Sequence, residues 1–188
     1  LEALAATGEV GVGGLLLPGH VTTVMGTTEY DVFPEKYSVP VTVAGFEPVD
    51  VLLGVKSLAD MVIAGEARLE NRYPRAVKRE GNTVAVQAMW KVFDRCDAHW
   101  RAIGVIPGSG LELAADYAHF DALQQYSLTP GHTLEELKPG CLCGLVMLGK
   151  SNPPDCALFG KACNPETPYG PCMVSMEGTC RNWFKYRL

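Results

Sequence analysis

The sequence lacks the features that mark several common protein classes. It has no uninterrupted apolar run of about eighteen residues, so we expect no transmembrane helix and no membrane partner. No basic, apolar leader of the export type opens the chain. The net charge is −5, which argues against a nucleic-acid partner because such proteins carry a basic face. No Gly-x-Gly-x-x-Gly and no phosphate-binding loop follows an apolar run, so a nucleotide site is not indicated.

Cysteine and charge are distributed unevenly along the chain. Cys96 stands alone in the first three quarters, and six cysteines lie in the last fifty residues: Cys141, Cys143, Cys156, Cys163, Cys172 and Cys180. Residues 139–188 carry five Lys/Arg and three Asp/Glu, a balance of +2 that leaves −7 for the remainder. Together with the chain break at Pro139 and Gly140, these shifts predict two domains, residues 1–138 and 139–188. The chain opens without Met in a helical pattern, and we interpret it as a fragment.

The first region contains nearly continuous apolar runs of strand length, at residues 15–17, 39–44 and 103–106. Such runs are typical of parallel strands that helices cover on both faces. Apolar residues at three- and four-residue spacing predict helices over residues 48–64, 82–92 and 111–126. The pattern predicts an α/β fold with an open, Rossmann-like, mostly parallel sheet, followed by a small cysteine-rich domain.

Three polar residues follow the predicted strands closely: His20, Glu47 and Ser109. The carboxyl ends of parallel strands share one edge of a sheet, where ligands bind, so we expect these residues to lie together. An imidazole and a carboxylate there can bind a metal or relay a proton, which makes His20 and Glu47 candidate catalytic residues. The alternative is that they serve only turns and caps. A basic run at residues 71–79 either receives an anionic partner or forms a solvated connection.

The cysteine-rich region cannot build an apolar core of its own, because it combines six cysteines and six prolines with little periodicity. Such a module needs disulfides, a metal or docking onto a neighbour. Zinc sites commonly use short paired spacings, but the region has no Cys-x-x-Cys and no histidine. Its long, irregular intervals suit the four thiolates of an iron–sulfur cluster. A zinc-stabilised binding module and a thiol–disulfide redox protein using Cys141 and Cys143 remain alternatives.

Several long motifs resemble one family, the HypD maturation factors of NiFe hydrogenases. In the cysteine-rich region they are Cys-x-Cys-Gly at 141–144, Pro-Pro-Asp-Cys-x-Leu-Phe-Gly-Lys-x-Cys-x-Pro-Glu at 153–166, and Gly-x-Cys-Met-Val-Ser-x-Glu-Gly-x-Cys at 170–180. Upstream, the segments 18–21, 44–48, 71–77 and 100–110 match in the same order. The resemblance therefore covers nearly the whole chain.

The resemblance implies a cytoplasmic α/β protein with a 4Fe-4S cluster in its C-terminal domain. With a HypC-type chaperone, the family forms the scaffold on which an iron receives two cyanides and one carbon monoxide, the Fe(CN)2CO unit. A HypE-type protein donates the cyanide, and the finished unit passes to the hydrogenase large subunit. The cluster supplies or relays electrons, so the resemblance implies a scaffold with a redox role rather than a stand-alone enzyme. The family's N-terminal half, which carries the thiol proposed to hold the iron, is absent, so we do not expect this fragment to assemble the unit alone.

Six cysteines compete for the four cluster positions that the resemblance implies. The favoured ligands are Cys143, Cys156, Cys163 and Cys180. Cys141 is the alternative at the first position, but Gly144 after Cys143 allows backbone close to the metal. Cys172 is expected to line the site. His20 and Glu47 occupy matching motif positions.

Overall fold

The computed structural model of the protein describes residues 2–5, 12–101, 103–128 and 139–186. These residues form two compact units, the first containing residues 2–5 and 12–91 and the second the remainder. The fold is mixed α/β, with a parallel sheet, helices and a cysteine-rich C-terminal region, as predicted. No helix in these ranges is long and apolar enough to cross a membrane. The predicted domain boundary at residues 138 and 139 borders a range outside the described residues and stays a prediction.

The first unit is built on a three-stranded parallel sheet in the order β1-β2-β3. The strands are β1 (Leu15–Pro18), β2 (Val41–Ala44) and β3 (Leu69–Asn71). Leu15 pairs with Val41, and Val41 pairs with Leu69 on its other side. Every residue of the central strand β2 is buried, because the sheet neighbours and the helix that follows cover it. The apolar composition of this strand is therefore what its position demands.

The helices of this unit are α1 (Glu2–Ala5), α2 (Gly19–Met25), α3 (Val32–Tyr37) and α4 (Pro48–Ala64). The longest of them, α4, has the predicted bounds and packs on β1 and β2. Pro48 suits its first turn, where no helical partner exists for a backbone N–H. Helix α5 (Thr83–Val92) also agrees with the prediction. A 3-10 helix at Thr28–Tyr30 lies between α2 and α3.

The second unit begins with an antiparallel hairpin and continues with short helices. Its strands are β4 (Phe93–Trp100) and β5 (Gly104–Leu113). The helices are α6 (Ala122–Gln125), α7 (Cys143–Met147), α8 (Pro171–Val174) and α9 (Thr179–Tyr186), with 3-10 helices at Ala115–Phe120 and Pro153–Asp155. None of the helices after β5 exceeds eight residues within the described ranges. This part of the chain therefore depends on contacts between elements rather than on long amphipathic faces.

Two predictions for the second unit were wrong. The run at residues 103–106 is not a third parallel strand, because it lies largely in β5 and pairs with β4. The predicted helix at residues 111–126 is divided among the end of β5, a 3-10 helix and α6. Cross-strand pairing prevails here over the local helical spacing. Ser109 consequently lies within β5, where its hydroxyl accepts a hydrogen bond from Trp100 Nε1 at 2.7 Å, and not after a parallel strand.

We expect Met61→Ala to lower the free energy of unfolding of the first unit by about 2–5 kcal/mol. Met61 is fully buried, so its truncation removes apolar contacts and leaves a cavity. Ile63, two residues along the same helix, is 85% exposed, and Ile63→Ala is the matched control, expected to change stability by less than about 0.5 kcal/mol. Urea unfolding followed by circular dichroism measures both. Equal effects of the two variants would contradict the packing of α4.

Candidate metal centre and sheet-edge site

Five of the cysteines in the cysteine-rich region are buried, although they come from separate elements. Cys143 begins α7, Cys156 ends the 3-10 helix at Pro153–Asp155, and Cys163 lies in the loop that follows. Cys172 lies in α8 and Cys180 in α9. Each of the five is 8% exposed or less, and Cys143 is only 1% exposed. Helices this short place cysteines inside only because turns rich in proline and glycine bring them together.

The core of this region consists largely of sulfur. Cys143, Cys163, Cys172 and Cys180 form one buried cluster with Val146 and Met173. Cys141 and the partly buried side chains Leu158, Phe159, Tyr169 and Phe184 pack against it. All seven cysteines of the chain are free thiols. The packing therefore gathers thiols where most domains bury hydrocarbon.

Hydrogen bonds connect the sulfurs to each other and to the backbone. The Cys172 thiol donates to Cys180 Sγ at 3.1 Å, and the Cys172 amide donates to Cys143 Sγ at 3.4 Å. The Tyr169 amide donates to Cys163 Sγ at 3.4 Å, and the Cys156 thiol contacts the Gly140 carbonyl at 3.7 Å. Amide donors aimed at sulfur favour thiolate character and are a means by which proteins tune metal centres.

Three thiols of the cysteine-rich region have a raised pKa: Cys141, Cys143 and Cys180. The hydrogen bond with Cys172 and then burial raise the pKa of Cys143 well above its usual range. Burial is the main cause that raises the pKa of Cys141 and Cys180, and the neighbouring Cys143, Cys156 and Cys163 add to it. Several thiolates cannot share one buried volume without a compensating positive charge.

The donor set suits a thiolate-bound metal or cluster. The described residues contain no group of three or more His, Cys, Asp or Glu side chains already arranged around a metal position. The soft sulfur donors nevertheless match iron–sulfur or zinc chemistry, and hard cations prefer oxygen. Gly170 leaves room for both sulfurs of the Cys-x-Cys pair, because a Cβ there would lie 3.0 Å from Cys141 Sγ and 3.1 Å from Cys143 Sγ. The thiols therefore offer the donor chemistry of the predicted group, without a preformed position for it among the described residues.

His20 and Glu47 lie at the same edge of the parallel sheet. His20 is in the first turn of α2, directly after β1, and Glu47 precedes α4, just after β2. Because β1 and β2 are paired, their carboxyl ends adjoin. The His20 ring lies 4.9 Å from the ring of Phe46, and the Glu47 carboxylate is 3.5 Å from Arg75 Nη2. We call His20, Phe46 and Glu47 the sheet-edge site.

The basic run at residues 71–79 is not a free cationic patch. Arg72 pairs with Glu70, Arg75 with Asp50, and Arg79 with Asp31. The Arg75 guanidinium makes a bidentate contact with Asp50, here called the fork, in which it donates to Oδ1 at 2.9 Å and to Oδ2 at 2.5 Å. This contact is the main cause that lowers the pKa of Asp50 and raises that of Arg75. Sequence reasoning missed Asp50 and Arg75, since charge counts alone do not show which acid an arginine meets.

Comparison with known proteins gives the family. The HypD family model, described as hydrogenase formation hypA family, matches residues 1–187. The chain belongs to the HypD family. The hydrogenase maturation factor HypD of Escherichia coli is 42% identical over 190 residues, which cover 100% of this chain and 50% of the relative.

Two further relatives show the same extent of similarity. The hydrogenase maturation factor HypD of Cupriavidus necator is 40% identical over 95% of this chain and 47% of its own length. The hydrogenase expression/formation protein HupD of Azotobacter chroococcum is 39% identical over 99% of this chain and 50% of its own length. The chain therefore spans about half the length of the curated relatives that it matches.

The stability of the first unit should fall as the pH drops below about 4, the ordinary pKa of an aspartate. The folded pKa of Asp50 is depressed, so its ionised form stabilises the fold above that pH and the contribution is lost as protons bind. Asp50→Asn should therefore flatten the pH dependence of unfolding between about pH 2 and 4. Urea midpoints at a series of pH values measure the effect.

The matched control is Asp60→Asn, which removes an exposed carboxylate paired with Lys56 on the same helix. We expect it to change stability by no more than about 1 kcal/mol at neutral pH. If Asp50→Asn loses stability at low pH as steeply as the unsubstituted protein does, the contact between Arg75 and Asp50 does not stabilise the fold as proposed.

Proposed function

We propose that the cysteine-rich region binds a 4Fe-4S cluster within a protein that assembles the iron unit of NiFe hydrogenase. The observation that carries this proposal is the burial of thiols from three helices and a loop in one core, in a chain of the HypD family. Such a core supplies the soft donors that iron–sulfur clusters require. No histidine occurs in residues 139–188 to complete a mixed zinc site.

The favoured ligands are Cys143, Cys156, Cys163 and Cys180, with Cys141 the alternative for the first. A bound cluster of this type accepts and releases one electron at a time. Around it, the Cys172 and Tyr169 amides would donate hydrogen bonds to ligand sulfurs, and buried apolar side chains would limit the access of water. In this proposal Cys172 lines the site and contacts two ligands without occupying a ligand position.

The complete protein, in this proposal, is a cytoplasmic scaffold on which an iron substrate receives two cyanides and one carbon monoxide. A HypC-type chaperone would share the scaffold, a HypE-type protein would donate cyanide, and the hydrogenase large subunit would accept the product. This chain spans about half the length of its relatives, and we propose these partner functions for the whole protein. His20 and Glu47 are the groups of the first unit that we propose to bind the substrate or relay protons.

Protein prepared without oxygen should absorb at about 400 nm, because thiolate-to-iron charge transfer colours such clusters brown. Cys156→Ala and Cys180→Ala each remove a proposed ligand and should abolish this band. Cys96→Ala is the control, since Cys96 lies in β4 outside the cysteine-rich region, and it should retain the band. Iron and sulfide analysis of the same samples excludes loss of colour through precipitation. Full cluster content in Cys180→Ala would contradict the ligand assignment.

The same spectra decide the first ligand. Our favoured set predicts that Cys143→Ala loses the band and that Cys141→Ala keeps it. The reverse result assigns Cys141 instead. A colourless protein that contains one zinc supports the zinc-stabilised module, and a metal-free protein whose mass rises by two protons on reduction supports the redox alternative.

Assembly itself is tested with a chimera in which this chain replaces the matching half of the Escherichia coli relative. In cells lacking that relative, we expect the chimera to restore hydrogenase activity, because the relative supplies the half that this chain does not span. The chimera with Cys180→Ala should not restore it, and the chimera with Cys96→Ala should. An inactive chimera, or an active Cys180→Ala chimera, would contradict the proposed role.

A further inference from the structure

The loop of residues 71–77, which connects β3 to the segment before α5, lies over the carboxyl ends of β1 and β2. Asn71 holds the loop in shape: its side-chain amide donates to the Val77 carbonyl at 2.9 Å, and its Oδ1 accepts from the Tyr73 amide at 2.9 Å. Val77 is 2% exposed and anchors the end of the loop in the core. The loop is therefore a fixed part of the first unit.

Tyr73 lies against Gly19 and Gly45, the residues that precede His20 and Phe46 of the sheet-edge site. A Cβ at Gly19, next to His20, would lie 2.7 Å from Tyr73 Cδ1. A Cβ at Gly45, next to Phe46, would lie 2.7 Å from Tyr73 Cε2. Only glycine allows so close an approach at both positions. The tyrosine ring consequently spans the ends of the two strands that carry the site.

Arg75 completes the contact with the third member of the site. Its guanidinium lies 4.4 Å from the centre of the Tyr73 ring, forks onto Asp50 and reaches Glu47 Oε2 at 3.5 Å. Asp50 is buried, and its carboxylate also accepts a hydrogen bond from the Glu47 backbone. The chain's own carboxylate thus contacts the backbone at the start of α4.

We propose that Arg75 is a positioning residue for the sheet-edge site, with Tyr73 as its platform and Asp50 as its anchor. Tyr73 packs on the glycines that precede His20 and Phe46, and Arg75 lies 3.5 Å from the exposed carboxylate of Glu47. The inference rests on the proposed function, in which His20 and Glu47 act on the iron substrate. Lysine cannot replace the arginine, because an ammonium neither forks onto a carboxylate nor stacks flat on a ring.

Arg75→Lys tests this role because it keeps the charge and removes the fork. Arg79→Lys is the matched control: Arg79 contacts Asp31 at 2.5 Å in the same unit, away from the site residues. In proton NMR spectra of this chain, Phe46 should shift the His20 ring protons through its ring current. We expect Arg75→Lys to lose that shift and Arg79→Lys to keep it.

A second variant keeps the test decisive if Arg75→Lys does not fold. Asp50→Asn removes the other half of the fork without leaving a buried charge, and it should change the same His20 signals. Unchanged His20 signals in every folded variant of the pair would overturn the proposal.

Activity separates this inference from the proposed function. In the chimera described above, Arg75→Lys should reduce hydrogenase maturation by about tenfold or more, and Arg79→Lys should not, because small misplacements of a reacting group are costly. An inactive wild-type chimera contradicts the proposed function, and the NMR result then still decides the positioning role. An active wild-type chimera with equal activity in Arg75→Lys and Arg79→Lys overturns the role of Arg75 alone.

Discussion

Residues 139–186 depend on contacts among cysteine sulfurs for their core. Cys143, Cys163, Cys172 and Cys180 are buried together, and Val146 and Met173 are the other buried members of this cluster among the described residues. Thiols pack as small apolar groups, but burying four cysteine side chains removes less apolar area from water than burying four leucines does. In our proposal, the region gains part of its free energy of folding when the sulfurs bind the cluster.

Three thiols of this region are held in their neutral form. The hydrogen bond with Cys172 and then burial raise the pKa of Cys143, and burial is the main cause that raises the pKa of Cys141 and Cys180, so these three thiols resist ionisation. A metal reverses this preference, because coordination enforces deprotonation and its charge compensates the thiolates. The amide groups of Tyr169 and Cys172 already face sulfur. Free thiolates would be unfavourable in this region, whereas the backbone amides that donate to sulfur would stabilise thiolates bound to a metal.

The first unit is organised by a different constraint, the close approach of a loop to a sheet edge. Tyr73 lies against Gly19 and Gly45, and Arg75 joins the loop to Asp50 at the start of α4. In many α/β proteins this edge receives a ligand. Here the chain places its own aromatic ring and guanidinium there, and the polar groups His20 and Glu47 lie at the rim around them.

Local patterns predicted the elements whose environment is uniform. Strand β2 is buried throughout and has Thr42 as its one polar residue, so its apolar pattern was readable, and α4 has the predicted bounds because Pro48 suits a helix start. Strand β3 escaped prediction because its three residues include Glu70 between two arginines, which resembles a loop. The β4–β5 hairpin was misassigned since its pairing is set by distant partners, which helical periodicity does not encode.

The candidate sites divide in the same way. The motif order indicated the family that the comparisons confirm, and the cluster chemistry inferred from cysteine content and spacing stays a prediction. The contact between Cys172 and Cys180, and the fork from Arg75 to a carboxylate 25 residues earlier, arise from tertiary structure alone. No count of charges or intervals contains such information.

The iron, sulfide and zinc content of the chain, prepared without oxygen, tests the central claim most directly. The account predicts about four iron and about four acid-labile sulfide ions per chain, together with a thermal midpoint that falls when a chelator removes them. A preparation that contains neither iron nor sulfide, and whose thermal midpoint is indifferent to chelation, would contradict it.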